Sequence, residues 1–302
     1  MKIAVTGATG LLGRYVVKRL TARGHQCRCW RRPTSDLGGI DASRGAVIWI
    51  EGGLDRPGTE SALVDGCDAV IHAALDCPGP GFQVDDGDLV RFVETNVVGT
   101  LRLIAAAKSA RVGRFVFISS GAVHEKVLPD RPLDENHPSL PAGHYGAHKA
   151  AIEMFVRSHG YGKGYPICAL RPTGIYGLAH PVSNSQWFDL VRDVSLGHDT
   201  TCTKGGKEVH AADVAKAAEI LLNADPSKVA GEVFECYDRY IADHEVASIA
   251  KALTGASGAI HGSSPVPRTQ IVTDKIRSLG MIFGGRPLLE ETVKELVAAV
   301  SA

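Results

Sequence analysis

Tyr145 and Lys149, four positions apart, are the two residues of this sequence best suited to proton transfer. On an α-helix, residues at this spacing lie on one face, so the phenol and the ammonium would be neighbours. A free tyrosine has a pKa of about 10 and is a poor base at neutral pH. A cation beside it favours the phenolate and lowers that pKa, as proton exchange with an alcohol requires. On its own the spacing is common, and two unrelated surface side chains would show it too.

A glycine-rich run near the start of the chain, Thr6-Gly7-Ala8-Thr9-Gly10-Leu11-Leu12-Gly13, has the composition of a phosphate-binding loop. Gly7 can supply the positive φ of a tight turn, Gly10 lets backbone amides approach a pyrophosphate, and Gly13 permits close packing of helix on strand. The run follows the first strand pattern and opens the first helical one, so its amides would lie at a helix N-terminus, which attracts anions. In that position the glycines predict dinucleotide binding rather than a turn that only shortens a loop.

The elements that must position these residues alternate along the first two thirds of the chain. Apolar runs predict strands at residues 2–5, 26–30, 46–50, 69–72, 115–119 and 166–170, with helical patterns between them that include 89–110 and 145–156. Strands that alternate with helices form a parallel sheet covered on both faces. We therefore predict an α/β fold, with a Rossmann-type doubly wound parallel sheet in residues 1–171.

The pattern loosens beyond Arg171, where glycine, proline, serine and asparagine are frequent as far as residue 199. Helices are predicted near 187–194, 213–222, 245–253 and 290–300, and a strand at 231–236. We predict that residues 172–302 form mainly a smaller C-terminal substrate-binding lobe, and that segments near 209–236 return to the main sheet.

Four further segments complete the pattern of motifs. They are Ser120-Gly121-Ala122-Val123-His124 after the fifth strand, Asn96 within residues 95–100, and residues 171–177 and 209–215. Together with the T-G-x-x-G-x-x-G spacing of the glycine run and with Tyr145 and Lys149, they resemble the short-chain dehydrogenase/reductase family, particularly its extended branch, the NAD-dependent epimerase/dehydratase family. The resemblance covers most of the chain. One departure is His124, which stands where the family usually has a tyrosine.

The resemblance implies a dehydrogenase-type site formed by Ser120, Tyr145 and Lys149, with Asn96 as the family's helix asparagine. Tyr145 would exchange the hydroxyl proton while hydride passes between the substrate carbon and the nicotinamide. Lys149 would also bind the nicotinamide ribose, and Ser120 would polarise the carbonyl group. The implied cofactor contacts are Gly7, Thr9, Gly10, Leu11, Leu12, Gly13, Arg31, Arg32, Leu54, Ala73, Ala74, Pro172 and Thr173, together with Tyr145 and Lys149.

The second predicted strand runs into Arg31-Arg32, where NAD-specific relatives carry an aspartate that binds the ribose 2′-hydroxyl. A guanidinium can pair with a 2′-phosphate in two places, whereas a carboxylate would repel it. We therefore expect NADP as the cofactor, with NAD as the alternative. Gly53 stands where relatives usually carry an aspartate that contacts adenine, so we also expect looser adenine recognition.

Three functions remain open on the sequence. The first is an epimerase or reductase acting on a nucleotide-linked sugar, although Lys207 is the one cation near the place where relatives carry an arginine for the diphosphate. The second is an NADPH-dependent reductase of another small carbonyl compound. The third is an NADP-sensing protein without catalysis, against which the intact Ser120, Tyr145 and Lys149 argue. A 4,6-dehydratase is disfavoured because Gly121-Ala122 replaces the acid pair that eliminates water in such enzymes.

Composition narrows the class of protein. The chain has 302 residues, of which 44% are hydrophobic and 22% charged, and its 33 basic and 33 acidic residues leave no excess charge for nucleic acid or an anionic membrane. The N-terminus shows no leader and no window is apolar enough to span a bilayer, so we expect a cytoplasmic protein with its seven cysteines reduced. We expect no metal site, because His144 and His148 lack a third ligand. By the family resemblance we expect a homodimer formed by helices 89–110 and 145–156.

Overall fold

A computed structural model describes residues 1–41, 45–76, 88–263 and 269–301. Within these ranges the strands are β1 (Lys2–Thr6), β2 (Gln26–Arg31), β3 (Val47–Glu51), β4 (Ala69–His72), β5 (Arg114–Ile118), β6 (Ile167–Pro172), β7 (Gly174–Tyr176), β8 (Thr200–Thr201), β9 (Gly205–His210), β10 (Val233–Cys236), β11 (Arg239–Ala242) and β12 (Ile260–His261). Seven of them form one parallel sheet in the order β10-β6-β5-β4-β1-β2-β3. The central strands β1, β4 and β5 are nearly continuous runs of buried residues because helices cover both faces of the sheet.

The α-helices in the same ranges are α1 (Leu11–Ala22), α2 (Thr59–Val64), α3 (Leu89–Val93), α4 (Gly99–Ser109), α5 (His144–Lys163), α6 (Phe188–Ser195), α7 (Ala211–Asn223), α8 (Pro226–Val229), α9 (Asp243–Thr254), α10 (Asp274–Ser278) and α11 (Gly285–Val300). One apolar cluster joins α1 and α7 to one face of the sheet, and a second joins α2, α4 and α5 to the other. The α/β, doubly wound, Rossmann-type sheet predicted from the alternation of strands and helices is confirmed.

The long helix predicted over 89–110 is present as one helical run, but its middle is not α-helical. Residues Glu94–Val98 form a π-helical turn between α3 and α4. At its centre the Asn96 side chain donates to the backbone oxygen of Phe92 (3.0 Å) and also binds the backbone of Asp76, whose N–H donates to Asn96 Oδ1 at 2.9 Å. A side chain that competes for backbone partners in this way widens the turn locally.

The later part of the chain builds a smaller unit beside the main sheet. β7, β9 and β11 form a three-stranded sheet, and α6, α9 and α11 pack together around a separate apolar cluster that includes Tyr176, Val191 and Leu289. Only one strand, at 231–236, was predicted beyond residue 171, so β7, β9 and β11 were missed. The predicted strand corresponds to β10, which pairs with β6 at the edge of the main sheet, and α7 packs against α1.

Six of the seven cysteines lie in the described ranges, where all six are free thiols with buried side chains, whereas Cys77 lies outside those ranges. Among the residues that the structure describes, no helix is both long and apolar enough to cross a membrane.

Candidate active site

Two clefts open beside the carboxyl ends of β1, β4 and β5 and share Gly7, Gly10, Ala73 and Leu75. The larger has a volume of about 1060 Å³ and the smaller about 500 Å³. Of the predicted site residues, the larger is lined by Gly7, Gly10, Leu11, Leu12, Gly13, Ala73, Ser120, Tyr145, Lys149, Pro172 and Thr173. The smaller is lined by Thr9, Arg31, Arg32, Leu54 and Ala74 as well as the shared residues. The fold therefore brings together every predicted site residue except Asn96, which lines neither cleft.

The glycine run forms the wall between the clefts. Gly7 has φ +70°, a conformation that side chains rarely adopt, and a Cβ on Gly13 would lie 2.0 Å from the backbone oxygen of Gly7. The first turn of α1 therefore packs against the backbone of the Gly7 turn with no room for a side chain at position 13. Its N-cap, Gly10, has no capping side chain and no acidic residue occupies the first turn, so the amides of that turn are left to a ligand.

Lys149 is buried on α5 with its ammonium under the larger cleft. Its Nζ donates to the backbone oxygen of Ile118 (2.7 Å), where β5 ends, and lies 4.7 Å from the centre of the Phe117 ring and 5.8 Å from that of Tyr145. Burial lowers the pKa of Lys149 to about 7, although the nearby Glu153 carboxylate acts in the opposite direction. The ammonium is thus fixed between the end of β5 and the first turn of α5, which carries Tyr145.

Of the two serines after β5, the environment favours Ser120 as the one facing a ligand. The Ser119 hydroxyl donates to Glu153 (2.5 Å) and is buried. The Ser120 oxygen accepts from the N–H of Ala122 (3.1 Å) at the start of the turn Gly121–His124, and its proton has no recorded acceptor within the described ranges. Ser120 can therefore donate a hydrogen bond to an oxygen atom placed in the cleft.

A buried ion-pair cluster holds α5 against the sheet. The Arg171 guanidinium donates to Glu153 from Nε (2.8 Å) and Nη2 (2.6 Å), and to Glu235 from Nη1 (2.9 Å). Glu153 lies one turn beyond Lys149, Arg171 is on β6 and Glu235 on β10. Since an unpaired charge at this depth would be strongly unfavourable, the cluster specifies the position of the helix that carries Tyr145 and Lys149.

The recorded partners of the Asn96 side chain are backbone groups. Its side chain also donates to the oxygen of Asp76 (2.7 Å), which ties the π-helical turn to the segment after β4. The Asn96 side chain lines neither cleft and binds the backbone of Phe92 and of Asp76, which lines the smaller cleft. That Asn96 belongs to the catalytic residues stays a prediction.

A buried hydrogen-bond chain runs from the glycine loop to this turn. The Thr6 hydroxyl accepts from the N–H groups of Ala73 and Ala74 (both 3.1 Å), so we assign its own proton to His72 Nδ1 at 2.6 Å. His72 Nε2 then donates to the Thr100 hydroxyl (2.8 Å), which donates to the backbone oxygen of Asn96 (2.5 Å). Burial lowers the pKa of His72 to about 3, which keeps the ring neutral. The hydroxyl of Thr6 then selects the tautomer with its proton on Nε2.

Several residues of the clefts were not singled out as site residues. Glu125 accepts from the backbone N–H of Gly143 (2.7 Å) and that of Ala142, just before α5 begins, and so places an anion at its N-terminus. His124, Lys207 and Asp55 also line the clefts. Two of them had a sequence signal: the unusual histidine at 124, and Lys207 near the place of the family's diphosphate-binding arginine. Glu125 and Asp55 reach the clefts only through the fold.

The smaller cleft contains the basic end of β2. Arg31 is its last residue, and no hydrogen bond or ion pair of its guanidinium is recorded within the described part of the chain. Arg32 lies 3.6 Å from Asp76 and its side chain is 62% exposed. Arg31 is therefore the cation of this cleft that is available to an anionic ligand.

Comparison with known proteins places the chain in a well-populated group. The model of the NAD dependent epimerase/dehydratase family matches residues 3–236. Among curated proteins, a 4-hydroxy-2-methyl-3-oxo-4-farnesyl-3,4-dihydroquinoline-1-oxide ketoreductase of Stigmatella aurantiaca is 30% identical over 237 residues, which are 78% of this chain and 67% of the ketoreductase. A 3 beta-hydroxysteroid dehydrogenase/Delta 5→4-isomerase of Mycobacterium tuberculosis is 31% identical over 63% of this chain, which spans about half (51%) of that relative.

The structural comparisons cover the whole chain. A UDP-glucose-4-epimerase of Stenotrophomonas maltophila, solved with NAD and formylated UDP-arabinopyranose, superposes with a TM-score of 0.81 at 18% identity, over 100% of this chain and 98% of the epimerase. The UDP-glucose 4-epimerase of Thermus thermophilus, solved with NAD, gives 0.77 at 20% identity, over 100% and 99% of the two chains. At these identities the likeness establishes the fold.

Proposed function

The chain belongs to the NAD dependent epimerase/dehydratase family of oxidoreductases, and we propose that it reduces a small, largely apolar carbonyl compound with NADPH, using Ser120, Tyr145 and Lys149. The observation that carries this proposal is that Ser120, Tyr145 and Lys149 all line the larger cleft. The glycine loop and the uncapped start of α1 line the same cleft.

The residues present fit a dinucleotide. The amides at the N-terminus of α1 and the close turn of Gly7 and Gly13 suit a pyrophosphate. From there the larger cleft leads past Pro172 and Thr173 to Tyr145, and the smaller leads to Arg31. These are the directions that the nicotinamide and adenosine halves would take.

The proposed chemistry divides between the cofactor and three side chains. Bound nicotinamide supplies the hydride. Ser120 donates a hydrogen bond to the substrate oxygen, and Tyr145 gives that oxygen its proton. Lys149, held by Ile118, stabilises the phenolate that remains. In the reverse direction the phenolate would accept the proton of an alcohol.

We propose NADP rather than NAD because the cation at the end of β2 is unpaired among the described residues. Arg31 can form two hydrogen bonds with a 2′-phosphate, and no carboxylate stands in its place.

The wall opposite the glycine loop supports an apolar substrate. Ile118, Leu133, Ile175 and Ile271 line the cleft, and Lys207 is its one cation besides Lys149 among the described residues. A diphosphate would need a stronger grip, such as the bidentate pairing that arginine provides. The ketoreductase relative acts, by its name, on a largely apolar molecule, which agrees with this substrate class.

A nucleotide-sugar epimerase is the second candidate. Its support is the match over the full chain to epimerases solved with nucleotide sugars, together with Lys207 in the cleft. The two candidates differ in cofactor turnover. A reductase oxidises one NADPH for each product molecule, whereas an epimerase uses the oxidised dinucleotide, which takes the hydride from the sugar and returns it within each cycle.

The test is a comparison of Tyr145→Phe with the wild type. We expect the wild type to oxidise NADPH in the presence of small apolar ketones, and the variant to lose about 10²–10⁴-fold in kcat because the proton donor is removed. NADPH affinity, measured by calorimetry, should be largely retained, because the phenylalanine keeps the ring and most of the cofactor contacts remain. Retained turnover in the variant would refute the assignment of Tyr145, whereas isomerisation of a UDP-sugar without net NADPH loss would favour the epimerase.

We also propose that residues 172–302 mainly bind substrate and that the protein is a homodimer. Support for the first is the placement of Ile175, Lys207 and Ile271 in the catalytic cleft. Support for the second is an exposed apolar stripe on α5, where Met154 and Phe155 are 53% and 41% exposed.

A further inference from the structure

One wall of the larger cleft carries a histidine that the proposed function leaves without a role. His124 ends the turn Gly121–His124, which begins directly after Ser120, and it lines the same cleft as Ser120 and Tyr145. Its side chain is only 2% exposed. The nitrogen atoms of a ring buried to this extent need hydrogen-bond partners in the protein or in a bound molecule.

The surroundings of Nε2 indicate which nitrogen of the His124 ring carries the proton. Nε2 lies 2.9 Å from Glu235 Oε1, and Arg171 Nη1 donates to that same oxygen over 2.9 Å. Nε2 and Nη1 are themselves 2.9 Å apart, as two donors that share one acceptor can be. Because a carboxylate oxygen only accepts, we assign a proton to Nε2; otherwise its lone pair would face that of Oε1. In the neutral ring Nδ1 is then a hydrogen-bond acceptor.

Nδ1 is the atom of this ring that lacks a partner. It is buried, and no hydrogen bond to it is recorded within the described ranges. Among the described residues that line the larger cleft, Thr173 has the other buried polar atom without a partner, and its hydroxyl proton can turn toward a different acceptor. The His124 ring cannot adjust in this way because Glu235 holds Nε2. A buried acceptor left unpaired is unfavourable, so a ligand that donates to Nδ1 gains affinity.

The neighbouring His137 does not supply the missing partner. Its ring packs edge-on against that of His124, with the ring centres 5.1 Å apart. The Nε2 atom of His137 accepts from the N–H of Leu128 (2.9 Å), and its Nδ1 donates to the backbone oxygen of Pro138 (2.8 Å). Both nitrogens of His137 are therefore occupied. A partner for His124 Nδ1 has to come from a molecule in the cleft.

The two ends of this turn offer complementary groups to such a molecule. Ser120 can donate a hydrogen bond, and His124 Nδ1 can accept one. A carbonyl oxygen matches Ser120, whereas Nδ1 requires an O–H or N–H group of the same molecule. Because only one short turn separates the two residues, that donor should lie within a few bonds of the carbonyl carbon.

We propose that His124 is a specificity-determining residue, which accepts a hydrogen bond from a hydroxyl group of the substrate and makes the protein prefer hydroxyketones to simple ketones. The inference rests on the proposed reduction of a carbonyl compound and narrows its substrate class. His124 takes no part in the transfer of hydride or of the proton. It holds the substrate hydroxyl while Ser120 and Tyr145 act on the carbonyl oxygen.

The experiment measures kcat/KM with NADPH for two pairs of ketones. α-Hydroxyacetophenone is compared with propiophenone, and β-hydroxypropiophenone with butyrophenone, so that within each pair a hydroxyl group replaces a methyl group. We expect the wild type to prefer the hydroxyketone of at least one pair by about tenfold or more, because the methyl group leaves Nδ1 unpaired. The variants correct for any difference in reactivity between the ketones themselves.

Two variants separate the roles of the two ring nitrogens. The amide atoms of asparagine stand as many bonds from the backbone as Nδ1 does, and those of glutamine as many as Nε2. His124→Asn should keep most of the preference, because its amide oxygen can accept from the hydroxyl, whereas His124→Gln should lose about tenfold of it. The free energy of unfolding, measured in urea, should follow the opposite order, since only glutamine can reach Glu235.

His137→Gln is the matched control. It makes the same substitution in the ring that packs against His124 but does not line the cleft, so the preference should persist. Equal kcat/KM within both pairs for the wild type, or a preference that survives in His124→Gln, would refute the role of His124 while the reductase proposal stands. Equal loss in His124→Asn and His124→Gln would assign His124 a structural role only. If the wild type reduces none of the ketones, both proposals fail.

Discussion

At the scale of single residues, the properties of the site depend most on the burial of Lys149. Its ammonium is fully enclosed, and its pKa falls to about 7 because the desolvation of the charge outweighs the attraction of Glu153. The unfolded chain keeps the ordinary lysine value, about 10.4. Folding therefore releases a proton at pH values between these two, and the position that serves the proposed chemistry costs stability at neutral pH.

Lys149→Met should reveal this cost in the way the free energy of unfolding depends on pH. Between about pH 7 and pH 10 the unfolded wild type binds a proton that the folded protein does not, so wild-type stability should rise with pH relative to the variant. Below pH 7 both states are protonated and the difference should be constant. Loss of the bond to Ile118 adds an offset that does not depend on pH. Urea unfolding at pH 6, 8 and 9.5 measures the difference in free energy of unfolding between the wild type and the variant. Lys18→Met, at an exposed lysine of α1, is the matched control, and its difference from the wild type should not change with pH. Parallel wild-type and Lys149→Met curves would contradict the shift.

Spacing in the sequence could predict residues whose partners are close along the chain or belong to a motif. Tyr145 and Lys149 share a helix face, and the glycines share one loop. Glu125 and Asp55 could not be found in this way. Glu125 meets the backbone of Gly143 only because the chain returns to it, and the Asp55 carboxylate lies over Gly53 only because Gly53 has no side chain.

At the scale of elements, the loop between β1 and α1 assigns different tasks to its glycines. A Cβ on Gly13 would meet the backbone of Gly7 and Ala8 at 2.0 and 2.6 Å, whereas a Cβ on Gly10 would meet only Gly7, at 3.4 Å. Gly13 is therefore required for packing within the protein. Gly10 is not, so we expect it to make room for the dinucleotide phosphates at the start of α1.

Alanine at these two positions should give opposite results. Gly13→Ala should lower the free energy of unfolding by about 1–3 kcal/mol, because backbone must move to admit the methyl group. Gly10→Ala should lower the free energy of unfolding by at most about 1 kcal/mol, because alanine is a poorer N-cap than glycine, but it should weaken NADP⁺ binding at least tenfold. Chemical unfolding and calorimetry measure the two effects. Equal dinucleotide affinity in Gly10→Ala and the wild type would show that the phosphates lie elsewhere.

The elements themselves were predictable where a periodic pattern was long. The parallel strands and the helices around them were found because both faces of the sheet are buried. The interruption between α3 and α4 was not, since it arises from Asn96 binding Asp76, twenty positions away. β9 begins with Gly205-Gly206, which pack against Tyr240 and Glu208, so its sequence lacks the alternation typical of a strand.

At the scale of the whole molecule, the outer face of α5 carries uncharged and mostly apolar side chains, whereas a helix face in contact with solvent usually carries charged ones. Ala147, Ala151, Met154, Phe155 and Ser158 recur at helical spacing and are all exposed. The neighbouring segment adds Val90, Val93 and Val98, which are 71%, 37% and 41% exposed. Such a surface is typical of an interface, and a two-fold axis would bring each helix against its copy.

Phe155→Glu should convert the proposed homodimer to a monomer. A two-fold interface repeats the substitution, so two carboxylates would be buried without partners. Light scattering coupled to size-exclusion chromatography measures the mass. Leu196→Glu, at an exposed leucine (61%) following α6, is the control and should remain dimeric. A wild type that is already monomeric at micromolar concentration would refute the dimer.

The pairing of β10 with β6 has a consequence during synthesis. When residue 172 has left the ribosome, the nascent chain already contains six strands of the sheet and both halves of the proposed cofactor site, but β6 is still an edge strand and Arg171 lacks Glu235. Only when residues 233–236 emerge is that edge covered and the guanidinium fully neutralised. Until then the open edge is a place where a second chain could pair, so co-translational protection should be needed longest there.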